Sequence, residues 1–448
     1  MKKNKRIEVN LMNIAVIGAG YVGTTTSVAF ANYGHKVYVI ENDQEKLKKL
    51  KKSILPFYEE GMEELLKKLI AGGNLLFFQN IEEVIDQVEI LFITVGTPSL
   101  PNGEADLSYV EEAARQIGKL MNEYKSIVIK STVPIGTGDK IHKIIKAELK
   151  KRNKEISFDL ISNPEFLREG KALQDALYPE RIVIGCETEK AKKVMKDLYK
   201  EINSPVVFTT IKDAEMIKYA SNAFLATKIS FINELARLCD KIGTNVIQVA
   251  KGMGLDSRIG PHFLQAGIGY GGSCFPKDIK ALLALAFAKK TPLQILQAVS
   301  DVNQTQALWF MEKVEKALGS LSGKRIAVLG LTFKPQTDDI REASSLKIIQ
   351  YLIENHSYIS AFDPQGTEHV KKIYPNVHYT QTPFEALKGA DAVLIVTEWK
   401  EIVEIDWKKA KNVLSQPYVF DGRNCLNSSA LKKLGYHYEG VGTPSFDV

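Results

Sequence analysis

The sequence predicts an α/β protein with two Rossmann-like doubly wound domains, joined by a helical middle domain with a long connecting helix. Three observations predict this fold. A short β-branched run at residues 13–18 leads into glycines spaced GxGxxG and then into a helical pattern. A second alternation of strands and helices begins near residue 325, without the full set of glycines. Between the two, apolar residues recur at helical spacing.

The chain has 448 residues, which is too long for one ordinary hydrophobic core. The pattern predicts domains at residues 1–211, 212–318 and 319–448. Hydrophobic residues make up 45% and charged residues 25%, the usual balance of a globular protein. The net charge of +6 comes from scattered lysines, apart from a basic start, and so suits an anionic small ligand better than nucleic acid.

Four widely separated cysteines form no CxxC pair, so we expect neither a metal site nor a disulfide framework. This usage is typical of a reducing, cytoplasmic compartment. The basic start and residues 12–17 weakly resemble a signal peptide, but the apolar run is short and enters the glycines directly. No run reaches the roughly 20 apolar residues that cross a bilayer, so we expect no membrane association.

The glycines of the first domain have separate physical roles. Gly18 would make a tight turn, Gly20 would let a pyrophosphate approach the backbone, and Gly23 would let helix and strand pack closely. The next predicted strand, at residues 36–40, ends at Glu41. A carboxylate there can accept hydrogen bonds from a ribose and repels a 2′-phosphate, which predicts NAD rather than NADP. The alternative is a glycine-rich turn without a dinucleotide.

Two further predicted strands of this domain, at residues 89–95 and 126–130, run into Thr97 and Thr132. Ligands bind outside the carboxyl ends of such strands, so both threonines are candidate cofactor contacts. Ordinary turn chemistry is the alternative. A shorter strand at 159–162 leads into Glu165 and Glu169, four residues apart, which could share a helix face. Spacing alone leaves their role open between function and surface charge.

The middle segment is predicted to be helical from residue 212 to about 243, followed by a long connecting helix at about 292–318. Lys218 and Asn222 lie one turn apart, away from the apolar face, and could direct two donors at one oxyanion. A solvated lysine beside a surface amide is the alternative. The apolar face predicted for the first helix consists of Ile217, Ala220, Phe224, Phe231, Leu235 and Leu238.

A glycine-rich stretch at residues 267–272 precedes Cys274, with Lys277 and Asp278 just after it. Glycines let a ligand approach closely, and the charged pair could lower the pKa of the thiol or manage its proton. The pattern therefore favours a nucleophilic cysteine over a buried structural one.

The third segment repeats the strand pattern at residues 325–330, 358–362, 392–396 and 418–420. Without a full GxGxxG, it predicts a second Rossmann-like domain that does not bind a dinucleotide. Lys334, Arg341 and Arg423 follow predicted strands and could meet phosphates. Two nucleotide-type domains around a thiol-bearing segment predict two ligands that meet at a cysteine.

Longer motifs extend these features over nearly all of the chain after Met12. They are GAGYVG at 18–23, VGTP at 95–98, STVP at 131–134, NPEFLREG at 163–170, KYASNAFLATKISFINE at 218–234, DSRIGPHFLQAGIGYGGSCFPKD at 256–278, TFKPQTDDIRE at 332–342 and FDGR at 420–423. In this order they resemble the UDP-glucose/GDP-mannose dehydrogenase family of nucleotide-sugar dehydrogenases.

The resemblance implies NAD-dependent, four-electron oxidation of the C6 alcohol of UDP-glucose, through a thiohemiacetal and a thioester on Cys274, for polysaccharide biosynthesis. GDP-mannose and UDP-N-acetylmannosamine are the alternative substrates of sibling enzymes. A non-catalytic NAD and nucleotide-sugar binding protein is the alternative from another class. The resemblance also implies a homodimer through the middle domain, in which Arg258 can come from a neighbouring subunit.

Matching the family's motifs assigns residues to three groups. The catalytic group is Cys274, Lys218, Asn222, Asp278, Glu165 and Thr132. The cofactor group is Gly18, Gly20, Tyr21, Val22, Gly23, Glu41, Lys46, Thr97, Thr132, Glu169, Lys277 and Arg341. The substrate group is Glu165, Phe166, Leu167, Arg168, Lys218, Asn222, Arg258, Tyr270, Gly271, Phe333, Lys334 and Arg423. No metal is implied.

Overall fold

The computed structural model describes residues 11–443. The basic residues at the start of the chain lie outside this range. The chain divides into two compact units between Ala220 and Ser221. Among the described residues, no helix is both long and apolar enough to cross a membrane.

The first unit is built on an eight-stranded sheet. Its strands are β1 (Asn13–Ile17), β2 (Lys36–Ile40), β3 (Leu75–Phe78), β4 (Ile90–Ile93), β5 (Lys125–Ile129), β6 (Phe158–Ser162), β7 (Ile182–Cys186) and β8 (Val206–Thr209). Its helices are α1 (Tyr21–Asn32), α2 (Gln44–Lys51), α3 (Met62–Ala71), α4 (Ser108–Leu120), α5 (Thr137–Lys151), α6 (Ala172–Leu177), α7 (Glu189–Leu198) and the start of α8 (Ile211–Ile242). Short 3₁₀ turns lie at Ile81–Glu83 and Ile85–Gln87.

The strand order of this sheet is β3-β2-β1-β4-β5-β6-β7-β8. Strands β1 to β6 are parallel, whereas β7 pairs antiparallel with β6 and β8 follows β7 in parallel. Alternate residues of β1 enter two different cores, Ile14 and Val16 on one face and Ala15 and Ile17 on the other. Helices therefore cover both faces, as parallel sheets require. The predicted doubly wound fold is confirmed, with an antiparallel pair at its edge.

One local prediction is wrong: Glu165 and Glu169 do not share a helix face, because residues 163–168 are not helical. Pro164 disfavours the helical conformation for Asn163. The Glu165 carboxylate also accepts a hydrogen bond from the Leu167 N–H at 2.6 Å, a local bond that competes with helix formation.

The second unit contains a six-stranded parallel sheet in the order β11-β10-β9-β12-β13-β14. Its strands are β9 (Arg325–Leu329), β10 (Tyr358–Phe362), β11 (His378–Tyr379), β12 (Ala392–Ile395), β13 (Tyr418–Asp421) and β14 (His437–Gly440). Its helices are the rest of α8, α9 (Val246–Gly254), α10 (Phe275–Ala288), α11 (Gln294–Leu318), α12 (Ser344–Glu354), α13 (Thr367–Ile373), α14 (Pro383–Ala386), α15 (Lys400–Val403), α16 (Trp407–Ala410) and α17 (Ser428–Lys433).

This order repeats that of the first six strands of the first unit, which confirms the second Rossmann-like domain. Gly330 follows β9 as Gly18 follows β1, and both have a left-handed φ, +95° and +96°. A Cβ on Gly330 would lie 2.3 Å from the Thr397 backbone nitrogen. The second domain therefore keeps the turn glycine of the fingerprint while lacking the other two.

Helix α8 does not bury the apolar face that its spacing predicts. Phe224, Phe231 and Leu238 are 66%, 46% and 51% exposed, whereas Lys218 and Asn222 are buried. The prediction is wrong at these positions because polar residues of α8 have buried hydrogen-bond partners, described below. The part of α8 in the second unit thus has an exposed apolar stripe at steps of seven residues.

Candidate active site

The glycine loop after β1 has the geometry of a dinucleotide cradle. The Gly18 N–H donates to the Ile40 carbonyl at 2.9 Å, which closes the turn. A Cβ on Gly23 would lie only 1.9 Å from the Gly18 carbonyl oxygen, while a Cβ on Gly20 would meet nothing within 4 Å. Tyr21 and Val22 then begin α1. Gly23 is therefore needed by the fold, and the space at Gly20 is open to a ligand.

Glu41 is buried directly after β2 and is held in place by its neighbours. One carboxylate oxygen accepts hydrogen bonds from the Ala19 N–H at 3.1 Å and from the Lys46 ammonium at 2.5 Å. The other accepts from the Asp43 N–H at 3.1 Å. A fixed carboxylate beside the glycine loop fits the ribose of NAD and would repel a 2′-phosphate.

Thr97 and Thr132 lie past the ends of adjacent strands, β4 and β5, as the sequence indicates. The Thr97 hydroxyl donates to the Thr132 carbonyl at 2.8 Å, which joins the two loops. Both loops therefore lie at the carboxyl edge of the sheet, the edge to which Glu41 also belongs.

Glu165 and Lys218 form an ion pair that is nearly inaccessible to solvent, with 2.9 Å between ammonium and carboxylate. Burial alone would raise the pKa of Glu165. The Lys218 ammonium and the Leu167 N–H outweigh that effect and hold the pKa below its usual value. Glu165 is therefore an anion held inside the protein. Its partner Lys218 lies one helical turn before Asn222.

The segment after Glu165 places its side chains in different surroundings. The Phe166 ring lies 4.0 Å from the Arg181 guanidinium and 5.3 Å from the Lys218 ammonium, both over its face. Arg168 instead forms a two-point ion pair with Asp175 and is exposed. Phe166 thus packs beside the buried ion pair, whereas the charge of Arg168 is directed away from it.

A buried carboxylate that sequence reasoning missed, Glu59, joins this segment to the glycine loop. It accepts hydrogen bonds from the Gly170 N–H at 2.8 Å, from the Leu173 N–H at 3.1 Å and from the Tyr21 hydroxyl. The Gly170 N–H also contacts the Tyr21 oxygen at 2.7 Å. Nothing in the local sequence around Glu59 distinguishes it from a surface glutamate. The hydrogen bonds among Tyr21, Glu59 and Gly170 are called the latch below. Glu169, which precedes Gly170 in the chain, is half-buried.

In the second unit, Cys274 is the residue that precedes helix α10. The N-terminus of a helix favours negative charge, which suits a thiolate. The Ser273 hydroxyl lies 3.6 Å from the Cys274 sulfur. One turn into the helix, the buried Asp278 carboxylate accepts hydrogen bonds from Lys277 and from the Asn222 amide, each at 2.6 Å.

Lys218 and Asn222 therefore have different carboxylate acceptors in this structure. Each donates to a different buried carboxylate, Lys218 to Glu165 and Asn222 to Asp278. The structure thus gives both side chains buried polar partners, which excludes the alternative of a solvated surface pair.

The glycines before Cys274 are needed for contact with the chain itself. A Cβ on Gly271 would lie 2.3 Å from the Glu342 carbonyl oxygen, and a Cβ on Gly272 would lie 2.7 Å from the Phe333 ring. The Gly272 N–H donates to the Arg341 carbonyl at 2.8 Å. From the sequence, these glycines are expected to allow a ligand to approach closely. In the structure they allow residues 333–342 of the same unit to pack against the cysteine loop.

The neighbouring Tyr270 is fixed by Asn303. The Asn303 side-chain oxygen accepts from the Tyr270 N–H at 2.8 Å, and its amide donates to the Tyr270 carbonyl at 3.0 Å. Burial is the main cause of a raised pKa of the Tyr270 phenol, so the ring stays neutral. Sequence reasoning missed Asn303, which lies in an ordinary helical pattern.

Arg423 donates to three backbone carbonyl groups, those of Val396 at 2.7 Å, Gly269 at 3.2 Å and Phe333 at 3.1 Å. It therefore links the cysteine loop to two strand ends of the second sheet. Lys334 lies over the Phe333 ring at 5.4 Å.

Two predicted ligand contacts are oriented toward adjacent carboxylates. Arg258, which is 87% exposed, pairs with Asp256, and Arg341 pairs with Asp339. Among residues 11–443, no three His, Cys, Asp or Glu side chains come together as a metal site would require.

The chain matches three family models in succession. Residues 12–203 match the NAD binding domain of the UDP-glucose/GDP-mannose dehydrogenase family, 212–305 its central domain and 327–428 its UDP binding domain. The chain belongs to the UDP-glucose/GDP-mannose dehydrogenase family. It is therefore an NAD-dependent oxidoreductase, and the fixed Glu41 and the open space at Gly20 fit that cofactor.

Relatives of this family member are similar over their whole length. The chain is 44% identical over 436 residues to UDP-glucose 6-dehydrogenase TuaD of Bacillus subtilis, covering 97% of this chain and 94% of TuaD. It is 42% identical over 440 residues to UDP-glucose 6-dehydrogenase of Rhizobium meliloti, covering 97% and 100%. The UDP-glucose dehydrogenase structure from Pyrobaculum islandicum has a TM-score of 0.90 at 36% identity, covering 98% of this chain and 99% of that one.

Proposed function

We propose that this dehydrogenase oxidises the C6 alcohol of UDP-glucose to the carboxylate of UDP-glucuronate. The observation that carries the proposal is Cys274 at the start of α10, with the buried Asp278 one turn away and hydrogen-bonded to the buried Asn222 and the half-buried Lys277. A protein that only bound NAD and a nucleotide sugar would not need a thiol there. The UDP binding domain and the relatives named for UDP-glucose support this substrate.

The thiol makes the second oxidation, from aldehyde to carboxylate, possible. NAD held at the glycine loop and Glu41 would supply the hydride acceptor for both oxidations. The first leaves an aldehyde, which offers no hydride until a nucleophile adds to its carbon. The Cys274 sulfur forms a C–S bond and the carbonyl oxygen takes a proton, so the carbon of the thiohemiacetal can lose its hydrogen as hydride. Water then cleaves the resulting thioester to the carboxylate and the free thiol.

In this scheme, Lys218 and Asn222 stabilise negative charge on the C6 oxygen. Asp278, whose carboxylate accepts hydrogen bonds from Lys277 and the Asn222 amide, positions water or takes up protons together with Lys218. Glu165, held as an anion, is the general base that activates the hydrolytic water, with Thr132 positioning that water.

The remaining contacts are proposed by motif. NAD would be held by Gly18, Gly20, Tyr21, Val22, Gly23, Glu41, Lys46, Thr97, Thr132, Glu169, Lys277 and Arg341. The nucleotide sugar would be held by Phe166, Leu167, Arg168, Arg258, Tyr270, Gly271, Phe333, Lys334 and Arg423. The domain division at residues 211/212 and 318/319 and the cytoplasmic location remain part of the proposal.

We also propose a homodimer through α8. Phe224, Phe231 and Leu238 form an exposed apolar stripe at steps of seven residues, the spacing of a helix seam that packs against a second helix. Light scattering should give a dimer mass for the wild type and a monomer mass for Phe231→Glu. Phe287→Glu, which changes an exposed phenylalanine of α10 outside the stripe, is the control.

The reaction is tested by counting NADH formed per UDP-glucose consumed. About two supports the proposal, since four electrons leave the sugar; one would contradict it. Cys274→Ala should abolish net NADH formation and keep the fold, whereas Cys186→Ala, which removes a half-buried thiol of β7, should keep activity. Higher initial rates with GDP-mannose or UDP-N-acetylmannosamine would refute the substrate. Binding of UDP-glucose without NADH formation would favour a non-catalytic protein.

A further inference from the structure

Two buried lysines lie at opposite ends of strand β5 and have different partners. Lys125, at its start, donates to the Val88 carbonyl at 2.6 Å and forms an ion pair with Glu123 at 2.7 Å. Lys130, just past its end, is 9% exposed and donates to a neutral amide, the Asn163 side-chain oxygen, at 3.2 Å. The first ammonium is thus neutralised by its own carboxylate, and the second is not.

A buried ammonium that lacks a carboxylate of its own is costly and is more common at functional sites. Burial lowers the pKa of Lys130 to about 8; the Glu165 carboxylate opposes this shift and the Lys218 ammonium adds to it. Glu165 is already bonded to Lys218. Two ammonium groups in this cluster therefore interact with one carboxylate.

We propose that Lys130 is a positioning residue for thioester hydrolysis, which keeps Glu165 ionised when Lys218 donates to the substrate oxygen. This rests on the proposed function, in which Lys218 stabilises the oxyanion and Glu165 activates water. When Lys218 donates a hydrogen bond to the oxyanion, its hydrogen bond to Glu165 is weakened. A second cation with a fixed position then prevents the buried carboxylate from taking up a proton.

The position of Lys130 is fixed by Asn163. The Asn163 side-chain oxygen also accepts from the Tyr199 hydroxyl at 2.5 Å, and its amide donates to the Val183 carbonyl at 2.9 Å. This orientation turns an acceptor toward the Lys130 ammonium. Burial raises the pKa of Tyr199, so its phenol stays neutral. The charged groups that act on Lys130 are therefore Glu165, from the segment after β6, and Lys218, from α8.

The test is the pH dependence of kcat with saturating NAD and UDP-glucose. Lys130→Met and Lys130→Gln remove the charge, and the glutamine can still donate to Asn163. Both should move the acidic limb of the profile to higher pH by about one unit, the usual effect of losing a nearby opposite charge. Mass spectrometry should also show more thioester on Cys274 in these variants at low pH. Lys130→Arg should leave the limb near its wild-type position.

Lys125→Met is the matched control, because it removes the other buried ammonium of β5 without changing the Glu165 cluster. An acidic limb in Lys130→Gln that coincides with the wild type would overturn the proposal. So would an equal displacement in Lys125→Met, since that would be a general effect of losing a buried lysine. If wild-type protein forms no NADH from UDP-glucose, the proposed function itself fails, which is a different result.

Discussion

The Tyr21 hydroxyl of the glycine loop donates to the buried carboxylate of Glu59, and both contact the Gly170 N–H. This latch connects the start of α1 to the segment that carries Glu165. Tyr21, which follows the second glycine of the fingerprint, therefore also positions a loop 149 residues further along the chain.

Removing this hydroxyl should loosen the segment after Glu165. In Tyr21→Phe we expect kcat to fall about tenfold, the equivalent of about 1.4 kcal/mol, or one hydrogen bond. Steady-state kinetics with UDP-glucose would measure it. Tyr33→Phe is the control, because it removes another tyrosine hydroxyl of the same unit, one that donates to the Leu177 carbonyl. Equal losses in both variants would show that the latch has no specific role.

Alanine substitutions should separate the two functions of the glycine loop. Gly23→Ala places a Cβ 1.9 Å from a backbone oxygen and should lower the thermal unfolding temperature or prevent folding. Gly20→Ala fills open space and should fold normally, yet lose NAD affinity because the pyrophosphate can no longer approach. Calorimetry for unfolding and fluorescence titration with NADH would test both. Wild-type NADH affinity in Gly20→Ala would exclude the loop as the cofactor site.

The choice between NAD and NADP should depend on the carboxylate of Glu41. Glu41→Gln removes the charge that repels a 2′-phosphate, so we expect the ratio of kcat/KM for NAD over NADP to fall about tenfold. Glu45→Gln, which changes an exposed glutamate of α2, should leave the ratio unchanged. An unchanged ratio in Glu41→Gln would place the discrimination elsewhere.

The Glu165–Lys218 pair should contribute to stability in a pH-dependent manner. Because the folded-state pKa of Glu165 lies below its ordinary value of 4.5, its contribution is present above pH 4.5 and is lost as the pH falls toward the folded-state pKa. We expect Lys218→Met to destabilise the fold by about 3–5 kcal/mol, since it leaves a buried carboxylate without its closest cation.

Denaturant unfolding at neutral pH and near pH 4 would measure this effect. The double variant Glu165→Gln/Lys218→Met should be more stable than Lys218→Met alone, because both charges are then absent. Additive losses from the two single changes would show that the pair does not act as a unit.

Local pattern predicted the elements that depend on local physics. The glycine loop, the strands formed by short apolar runs and the long connecting helix all follow from neighbouring residues and their conformational limits. The fold class, the family and the NAD cofactor were therefore predicted correctly. Spacing failed on α8, where the apolar stripe is exposed, and at residues 163–168, where a proline and a side-chain hydrogen bond prevent a helix.

The sequence alone determined that two nucleotide-type sheets share this chain with a cysteine in a glycine-rich loop, because strand patterns and turn glycines are set by residues close in sequence. Only the tertiary structure decided which charges meet. Glu165 pairs with Lys218 across 53 residues and Asn222 with Asp278 across 56, while Glu59, Asn163 and Lys130 gain their partners only in the folded core. These contacts are strong because they are buried, and which side chains become buried together cannot be read from the order of residues along the chain.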